Sequence, residues 1–153
     1  MKKLLLASTL LAAMTGTAMA AEIKVGVLLG YTGPIESLTP DMAASAELAF
    51  DEASNSGQLL GGSKIVSIRA DSTCVDSAAA TAAGERLISS HGVVAIMGAD
   101  CSGVTGAVAN NVAIPNGVVM VSPSATSPGL SKIKDNGFFF RTAPSDARQG
   151  EVL

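Results

Sequence analysis

Five short apolar runs, the first four separated by stretches with helical spacing, constrain the fold of this chain more than any other feature. The first run, residues 23–29, is rich in β-branched residues and hardly alternates between polar and apolar side chains. This composition is typical of a strand in a parallel sheet that is covered on both faces. The other predicted strands are residues 65–70, 93–97, 118–121 and 138–140.

Start and stop signals flank the predicted helices. Thr39, which precedes a proline, is expected to be the N-cap of the first helix, and Gly57 is expected to end it. Asp76 is expected to cap the second helix, a third follows the loop 98–103, and Asp146 opens a last one. Strands that alternate with helices through short loops predict an α/β fold, a doubly wound parallel sheet with helices on both faces.

The first 20 residues have the order of a secretory signal peptide. Lys2 and Lys3 are followed by an apolar run, residues 4–14, and by small residues that end at Ala20. The run is too short to span a bilayer, and the small residues form a cleavage site. We therefore expect residues 1–20 to be removed and the remainder to be exported to the periplasm. An N-terminal membrane anchor is the alternative.

Residues 21–153 number 133, which is enough for one domain with its own core. They carry eight Lys and Arg against 13 Asp and Glu, a formal net charge of −5. Nucleic acid requires a basic patch, and anionic lipid requires a polybasic segment. The charge therefore argues against both partners.

The chain has two cysteines, Cys74 and Cys101, and one histidine, His91. In an oxidising compartment an isolated pair favours one disulfide, and two buried free thiols are the alternative. The disulfide would close a loop of 28 residues and add roughly 3 to 4 kcal/mol of stability. Two cysteines and one histidine are too few for a structural zinc site, and we expect neither metal nor cofactor.

Ligands of open parallel sheets bind beyond the carboxyl ends of the strands. Two loops there, 98–103 and 122–128, are rich in glycine and hydroxyl groups. Ser102 lies at or next to the start of the third helix, where free N–H groups, the helix dipole and a hydroxyl favour a carboxylate. In the second loop, Thr126 would donate to a carboxylate while a carbonyl accepts from an ammonium. The alternatives are that Ser102 only caps its own helix and that the second loop is an ordinary polar loop.

Motifs of catalysis are absent from the sequence: it has no P-loop, no dinucleotide-binding glycine motif and no nucleophile elbow. His91 is expected at the opposite edge of the sheet, so Cys101 and Ser102 have no base. We therefore expect a protein that is not an enzyme. The alternative is an α/β enzyme that uses Asp100, Cys101 or Ser102.

Short motifs follow one another along the chain in a characteristic order. They are I-K-V-G-V, T-G-P, D-S-T-C-V-D, G-A-D-C-S, V-S-P-S-A-T-S-P and F-R-T…D-x-x-Q-G, at residues 23–27, 32–34, 71–76, 98–102, 121–128 and 140–150. With these motifs the chain resembles the type I periplasmic solute-binding proteins of ABC transporters, the leucine/isoleucine/valine-binding group. The resemblance covers the first lobe of that family and the start of the crossover to the second, here residues 21–153.

The resemblance implies a two-lobed clamp that closes on an amino acid and delivers it to an ABC permease in the inner membrane. It also implies a disulfide between Cys74 and Cys101, and it places the ligand carboxylate at Ser102. Ser124 and Thr126 match positions that engage the carboxylate and the ammonium through backbone and hydroxyl groups. The ligand-binding set expected from the resemblance is Asp100, Cys101, Ser102, Ser124, Ala125 and Thr126.

Two positions depart from the family pattern. Leu38 and Thr39 stand where many members have an aromatic residue followed by glycine. Asp100 stands where an apolar residue often lines the side-chain pocket, and a carboxylate there is poorly matched to a leucine or valine side chain. A polar, amide or cationic ligand is therefore the alternative to a branched-chain amino acid.

The chain stops at Leu153, one or two turns into the last predicted helix, so we expect it to be a fragment without its second lobe. One lobe holds at most half of a clamp's site, and we expect a severe loss of affinity in the isolated residues 21–153. Two other functions remain open: a periplasmic sensor or regulator of amides or amino acids on the same fold, and a truncated lobe without function.

Overall fold

The computed structural model describes residues 21–153, and the predicted signal peptide lies outside the described residues. Five parallel strands form one sheet in the order β2-β1-β3-β4-β5. This order changes direction between β1 and β3, which is where doubly wound sheets open a crevice for ligands. The strands are β1 (Glu22–Leu29), β2 (Lys64–Asp71), β3 (Ala95–Gly98), β4 (Val119–Ser122) and β5 (Phe139–Arg141).

Helices cover both faces of the sheet. The helices are α1 (Thr39–Asn55), α2 (Ser77–Ser89), α3 (Ser102–Val108) and α4 (Asp146–Val152), with a π-helical turn, Ala109–Ala113, after α3 and 3-10 turns at Leu60–Gly62 and Pro128–Lys132. One core packs α2 and α3 against the sheet, and a smaller core packs α1 against the other face. The predicted doubly wound α/β fold is confirmed. Within residues 21–153, every helix is too short or too polar to cross a membrane.

The start of α2 agrees with the sequence, whereas the start of α1 does not. Asp76 Oδ1 accepts hydrogen bonds from the backbone N–H groups of Ala78 and Ala79, as an N-cap should. Thr39, in contrast, is the first residue of α1 and is completely buried. Its hydroxyl donates to the carbonyls of Gly30 and Glu36, at 3.2 and 3.3 Å. The prediction of Thr39 as N-cap is therefore wrong, because its hydroxyl donates to carbonyls of the segment between β1 and α1 and accepts no N–H of the helix.

β3 begins later and ends later than the apolar run predicts. Val93 is buried, but its N–H donates to the carbonyl of Leu87 at the end of α2 and so stays outside the sheet ladder. At the other end, Gly98 has a φ of +133°, and a Cβ there would overlap the carbonyl oxygen of Leu28. A glycine therefore allows β3 to run this close to β1.

The face that carries α1 is covered only in part. A groove of about 460 Å³ lies beside α1 along β3 and β4, and its walls include Phe50, Met97 and Val121. These side chains are partly exposed, so this half of the sheet presents apolar surface.

Candidate ligand-binding site

The loops that follow β1 to β4 meet at one edge of the sheet, called here the carboxyl edge. Ser102 joins two of them, because its Oγ accepts hydrogen bonds from the backbone N–H groups of Thr126 and Ser127, at 3.2 and 3.1 Å. A hydroxyl that accepts twice still has its own hydrogen to donate. Among the described residues, no acceptor for that hydrogen is found, so it is available to a ligand oxygen.

Ser102 does not cap its own helix. Cys101 occupies the N-cap position of α3 without a side-chain cap, and Ser102 is the first helical residue. The interpretation of Ser102 as a simple cap is therefore wrong. Its hydroxyl connects the loop 98–103 to the loop 122–128.

Thr126 is tied to the start of α4. Its Oγ1 donates to Asp146 Oδ2 at 2.9 Å, and its carbonyl accepts from the Asp146 N–H at 3.0 Å. The hydrogen that we expected to reach a carboxylate is therefore directed at Asp146. Thr126 Oγ1 has lone pairs left, which makes it an acceptor in this arrangement.

Ser124 and Ala125 shape the loop from within. The Ser124 hydroxyl donates to the carbonyl of Asp100 at 3.0 Å, so this side chain holds the loop against the end of β3. Ala125 is buried, and its N–H donates to the hydroxyl of Ser122 at 3.1 Å. Both residues lie at the carboxyl edge, where Ser124 is exposed but its hydroxyl donates within the protein.

Arg141 supports the same loop, although the sequence analysis did not select it. Its guanidinium donates to the carbonyls of Ala125 and Ser127, at 3.1 and 2.9 Å, and to the hydroxyl of Ser131. Arg141 is the last residue of β5, so it reaches the carboxyl edge from the neighbouring strand. A lone arginine at the end of an apolar run, in the motif F-R-T, was the signal for it.

The two cysteines form the expected disulfide, with an S–S distance of 2.06 Å, and the alternative of free thiols is wrong. The bond connects the loop after β2 to the start of α3. Thr73 and Cys74 both have positive φ, 58° and 68°, and the Thr73 N–H donates to Asp71 Oδ1 at 2.8 Å. Because its sulfur is in the disulfide, Cys101 cannot act as a thiol nucleophile.

Asp100 is directed into the protein and not at the surface of the carboxyl edge. It is 3% exposed. Its Oδ2 accepts from the Gly30 N–H at 2.6 Å. Its Oδ1 accepts from the Ser72 hydroxyl at 3.1 Å and from the Cys101 N–H at 2.9 Å. The carboxylate therefore has internal partners for both oxygens.

Tyr31 and Asp71 lie beside these loops with opposite electrostatic effects. Burial raises the pKa of Tyr31 to about 12, although the Arg69 guanidinium, 5.8 Å from the ring centroid, lowers it. The Tyr31 hydroxyl is buried without a hydrogen-bond partner among the described residues. Burial also raises the pKa of Asp71, but hydrogen bonds from Thr32 and Thr73 outweigh it and hold that pKa below its usual value. The loops after β1 and β2 therefore hold a neutral phenol, Tyr31, beside a charged carboxylate, Asp71.

The described part of the chain brings no histidine or metal cluster to the carboxyl edge. His91 is exposed and lies in the turn before β3, at the other edge of the sheet. Within residues 21–153, no group of three or more His, Cys, Asp or Glu could hold a metal ion. What the edge offers is a set of hydroxyl and backbone groups with the carboxylates of Asp71 and Asp146, which suits reversible binding of a small polar molecule.

An open parallel sheet with such an edge defines the class as a ligand-binding α/β lobe. The chain belongs to the periplasmic binding protein family, whose sequence model matches residues 22–153. It is 32% identical over 148 residues to the Leu/Ile/Val-binding protein BraC3 of Rhizobium johnstonii, with 96% of this chain and 39% of the relative covered. It is 33% identical over 151 residues to the Leu/Ile/Val-binding protein homolog 3 of Brucella melitensis, with 97% and 40% covered.

Solved structures agree with this family. The branched-chain amino acid transporter substrate-binding protein LivJ of Streptococcus pneumoniae, in complex with isoleucine, superimposes with a TM-score of 0.73 and 29% identity, covering 82% of this chain and 35% of LivJ. A solute-binding protein of an ABC transporter from R. palustris, in complex with benzoate, gives a TM-score of 0.71 and 26% identity, covering 86% and 35%. The chain thus spans about two fifths of the length of its relatives, which fits a single lobe.

Proposed function

We propose that this chain forms one wall of an amino-acid site in the substrate-binding component of an ABC transporter. The observation that carries the proposal is the pairing of Ser102 with Thr126 and Ser127 across the carboxyl edge. It leaves a hydroxyl donor on one loop and a hydroxyl acceptor on the next. The family and the relatives, which include transporter substrate-binding proteins, support the same role.

An amino acid matches this edge better than a simple carboxylate does. The Ser102 hydrogen is available to a carboxylate, while Thr126 Oγ1 accepts from an ammonium. Asp146, whose carboxylate holds Thr126 at 2.9 Å, adds a negative charge beside that acceptor. A negative charge attracts an ammonium and repels a ligand that carries only a carboxylate. A zwitterion can accept from Ser102 through its carboxylate and donate to Thr126 through its ammonium, whereas benzoate, the ligand of one relative, has only the carboxylate.

The ligand side chain is proposed to be apolar and branched. The main reason to favour a polar or cationic ligand was Asp100, and that carboxylate accepts its hydrogen bonds from inside the protein. Leu38, which follows β1 and is 59% exposed, presents apolar surface among the loops after β1. The names of the relatives support leucine, isoleucine and valine as the first ligands to test.

The proposed function also includes export to the periplasm and a partner in the inner membrane. Residues 1–20 act as a cleaved signal peptide, the mature chain works in the periplasm, and the partner is an ABC permease of the inner membrane. The acidic net charge gives no reason to expect nucleic acid, and the chain carries out no chemistry on its ligand.

An NMR titration tests the proposal. The chain is expressed with residues 1–20 in a Gram-negative host, recovered from the periplasm, labelled with ¹⁵N and titrated to millimolar concentrations with L-leucine, L-isoleucine, L-glutamine and benzoate. We expect leucine and isoleucine to shift the backbone amides of Ser102, Thr126 and Ser127 more than glutamine or benzoate does. Asp146→Asn should weaken the binding of leucine and strengthen the binding of benzoate, because it removes the negative charge beside Thr126.

Ser102→Ala is the test variant, and Ser45→Ala on α1 is its control, because Ser45 bonds only within its own helix among the described residues. We expect the leucine shifts to disappear in the first variant and to persist in the second. Equal titrations in the two variants, or no shift with any amino acid, would contradict the proposal.

A further inference from the structure

Asp100 connects all four loops of the carboxyl edge. Its Oδ2 binds the Gly30 N–H after β1, and its Oδ1 binds the Ser72 hydroxyl after β2. The same Oδ1 binds the N–H of Cys101 at the start of α3. Its carbonyl accepts from the hydroxyl of Ser124 after β4. These bonds cross the place between β1 and β3 where the strand order changes direction.

The bonds require a carboxylate. Each oxygen faces a backbone N–H, from Gly30 on one side and Cys101 on the other, and a backbone donor cannot rotate away. An amide has one acceptor oxygen and one donor nitrogen, so asparagine would direct an N–H₂ group at one of the two N–H groups. Gly30 permits the approach, because a Cβ there would lie 3.3 Å from Asp100 Oδ2 and 3.2 Å from Cys74 Cβ.

The two halves of the proposed ligand site depend on these bonds. Ser102 is two residues from Asp100 along the chain, and the amide of Cys101 between them is held by the carboxylate. Thr126 is two residues from Ser124, whose hydroxyl is held by the Asp100 carbonyl. Asp100 therefore determines how the Ser102 hydroxyl meets the amides of Thr126 and Ser127, although its own side chain is buried.

We propose that Asp100 is a positioning residue, which aligns the Ser102 and Thr126 loops for the ligand without touching it. This role differs from the ligand-facing one that the resemblance implies for this position. The inference depends on the proposed function, since alignment matters for affinity only if an amino acid binds here. Supporting residues of this kind commonly decide whether a binding site is correctly formed.

Asp100→Asn is the test variant, and Leu87→Ala is its control. Leu87 is a buried residue near the end of α2, so its truncation lowers stability at the other edge of the sheet. At a temperature where both variants are folded, we expect Asp100→Asn to raise the Kd for L-leucine roughly tenfold, about 1.4 kcal/mol. The Kd of Leu87→Ala should stay within about twofold of wild type, because distant sites are independent.

A second readout needs no ligand. In Asp100→Asn we expect the amide resonances of Gly30, Thr126 and Ser127 to move, and in Leu87→Ala we expect them to stay. If Asp100→Asn does not fold, Ser72→Ala, which removes one donor to the Asp100 carboxylate, should move the same three amide resonances away from their wild-type positions.

The outcomes separate the two proposals. If millimolar L-leucine shifts no amide of wild type, the proposed function is rejected, while the three amide resonances still test the alignment. If Asp100→Asn leaves those resonances unmoved, or binds L-leucine like wild type, the positioning role is rejected. An equal rise in Kd for Asp100→Asn and Leu87→Ala also rejects it, because general loss of stability would then explain the effect.

Discussion

Loss of the Cys74–Cys101 disulfide should destabilise the fold by an amount that follows from the length of its loop. The cysteines are 27 positions apart. Chain-entropy reasoning for a loop of this length gives about 3.5 kcal/mol at room temperature. For a domain of this size, about 4 °C of melting temperature corresponds to each kcal/mol, so we expect a decrease of roughly 14 °C.

Thermal and urea unfolding, followed by circular dichroism, measure this change. The wild-type chain is compared with and without a phosphine reductant and with the double variant Cys74→Ser, Cys101→Ser. The reductant should lower the melting temperature of wild type and leave the double variant unchanged. Affinity for L-leucine should change less than stability does, because the disulfide contributes no ligand group and Asp100 still accepts from the Cys101 N–H when the bond is absent.

The positive φ of Cys74 provides a second control for the disulfide experiment. Cys74 has a φ of 68°, which favours glycine over any residue with a Cβ. The variant Cys74→Gly, Cys101→Ser should therefore be more stable than the double serine variant by up to about 1 kcal/mol. A melting temperature of wild type that does not respond to complete reduction would refute the entropy argument. A glycine variant less stable than the serine variant would refute the conformational argument.

Three further results are expected. Ser102→Ala and Thr126→Ala should each weaken L-leucine binding by about 1.5 to 3 kcal/mol in calorimetry, the cost of one hydrogen bond to a charged group, and unchanged affinity in both would reject the site. The chain has one tyrosine and no tryptophan, so tyrosinate absorbance reports Tyr31 alone. Burial raises its pKa to about 12, hence we expect a midpoint near 12 in the folded chain, with stability falling as pH rises from about 10 through 12; a midpoint near 10 would contradict its burial. Asp76→Ala should cost about 1 kcal/mol in urea unfolding because it removes the cap of α2, and an unchanged midpoint would show that the cap contributes nothing.

The parts of the fold that could be predicted from the sequence are those set by local patterns. β1 and β2 lie within one residue of their predicted bounds, since continuous apolar runs identify buried parallel strands. The cap of α2 is predictable because the hydrogen bonds of Asp76 stay within three residues of it along the chain. The disulfide could be expected from the cysteine count and the compartment.

The parts that could not be predicted depend on contacts between distant segments. A threonine followed by a proline is typical of an N-cap, but the hydroxyl of Thr39 donates to the carbonyl of Gly30, nine positions earlier, and does not cap the helix. Asp100 was expected to face the ligand, and the donor that draws its Oδ2 inward, Gly30, is 70 positions away. The role of Arg141 requires the pairing of β5 with β4, which no local pattern contains.

The central claim is that a ligand carboxylate lies at Ser102 and its ammonium beside Thr126 and Asp146. A crystal structure of the oxidised chain with L-leucine tests it most directly. We predict a carboxylate oxygen within about 3 Å of Ser102 Oγ and the ammonium nitrogen within hydrogen-bond distance of Thr126 Oγ1. Leucine bound instead in the apolar groove beside Phe50, or with its carboxylate away from Ser102, would contradict the account.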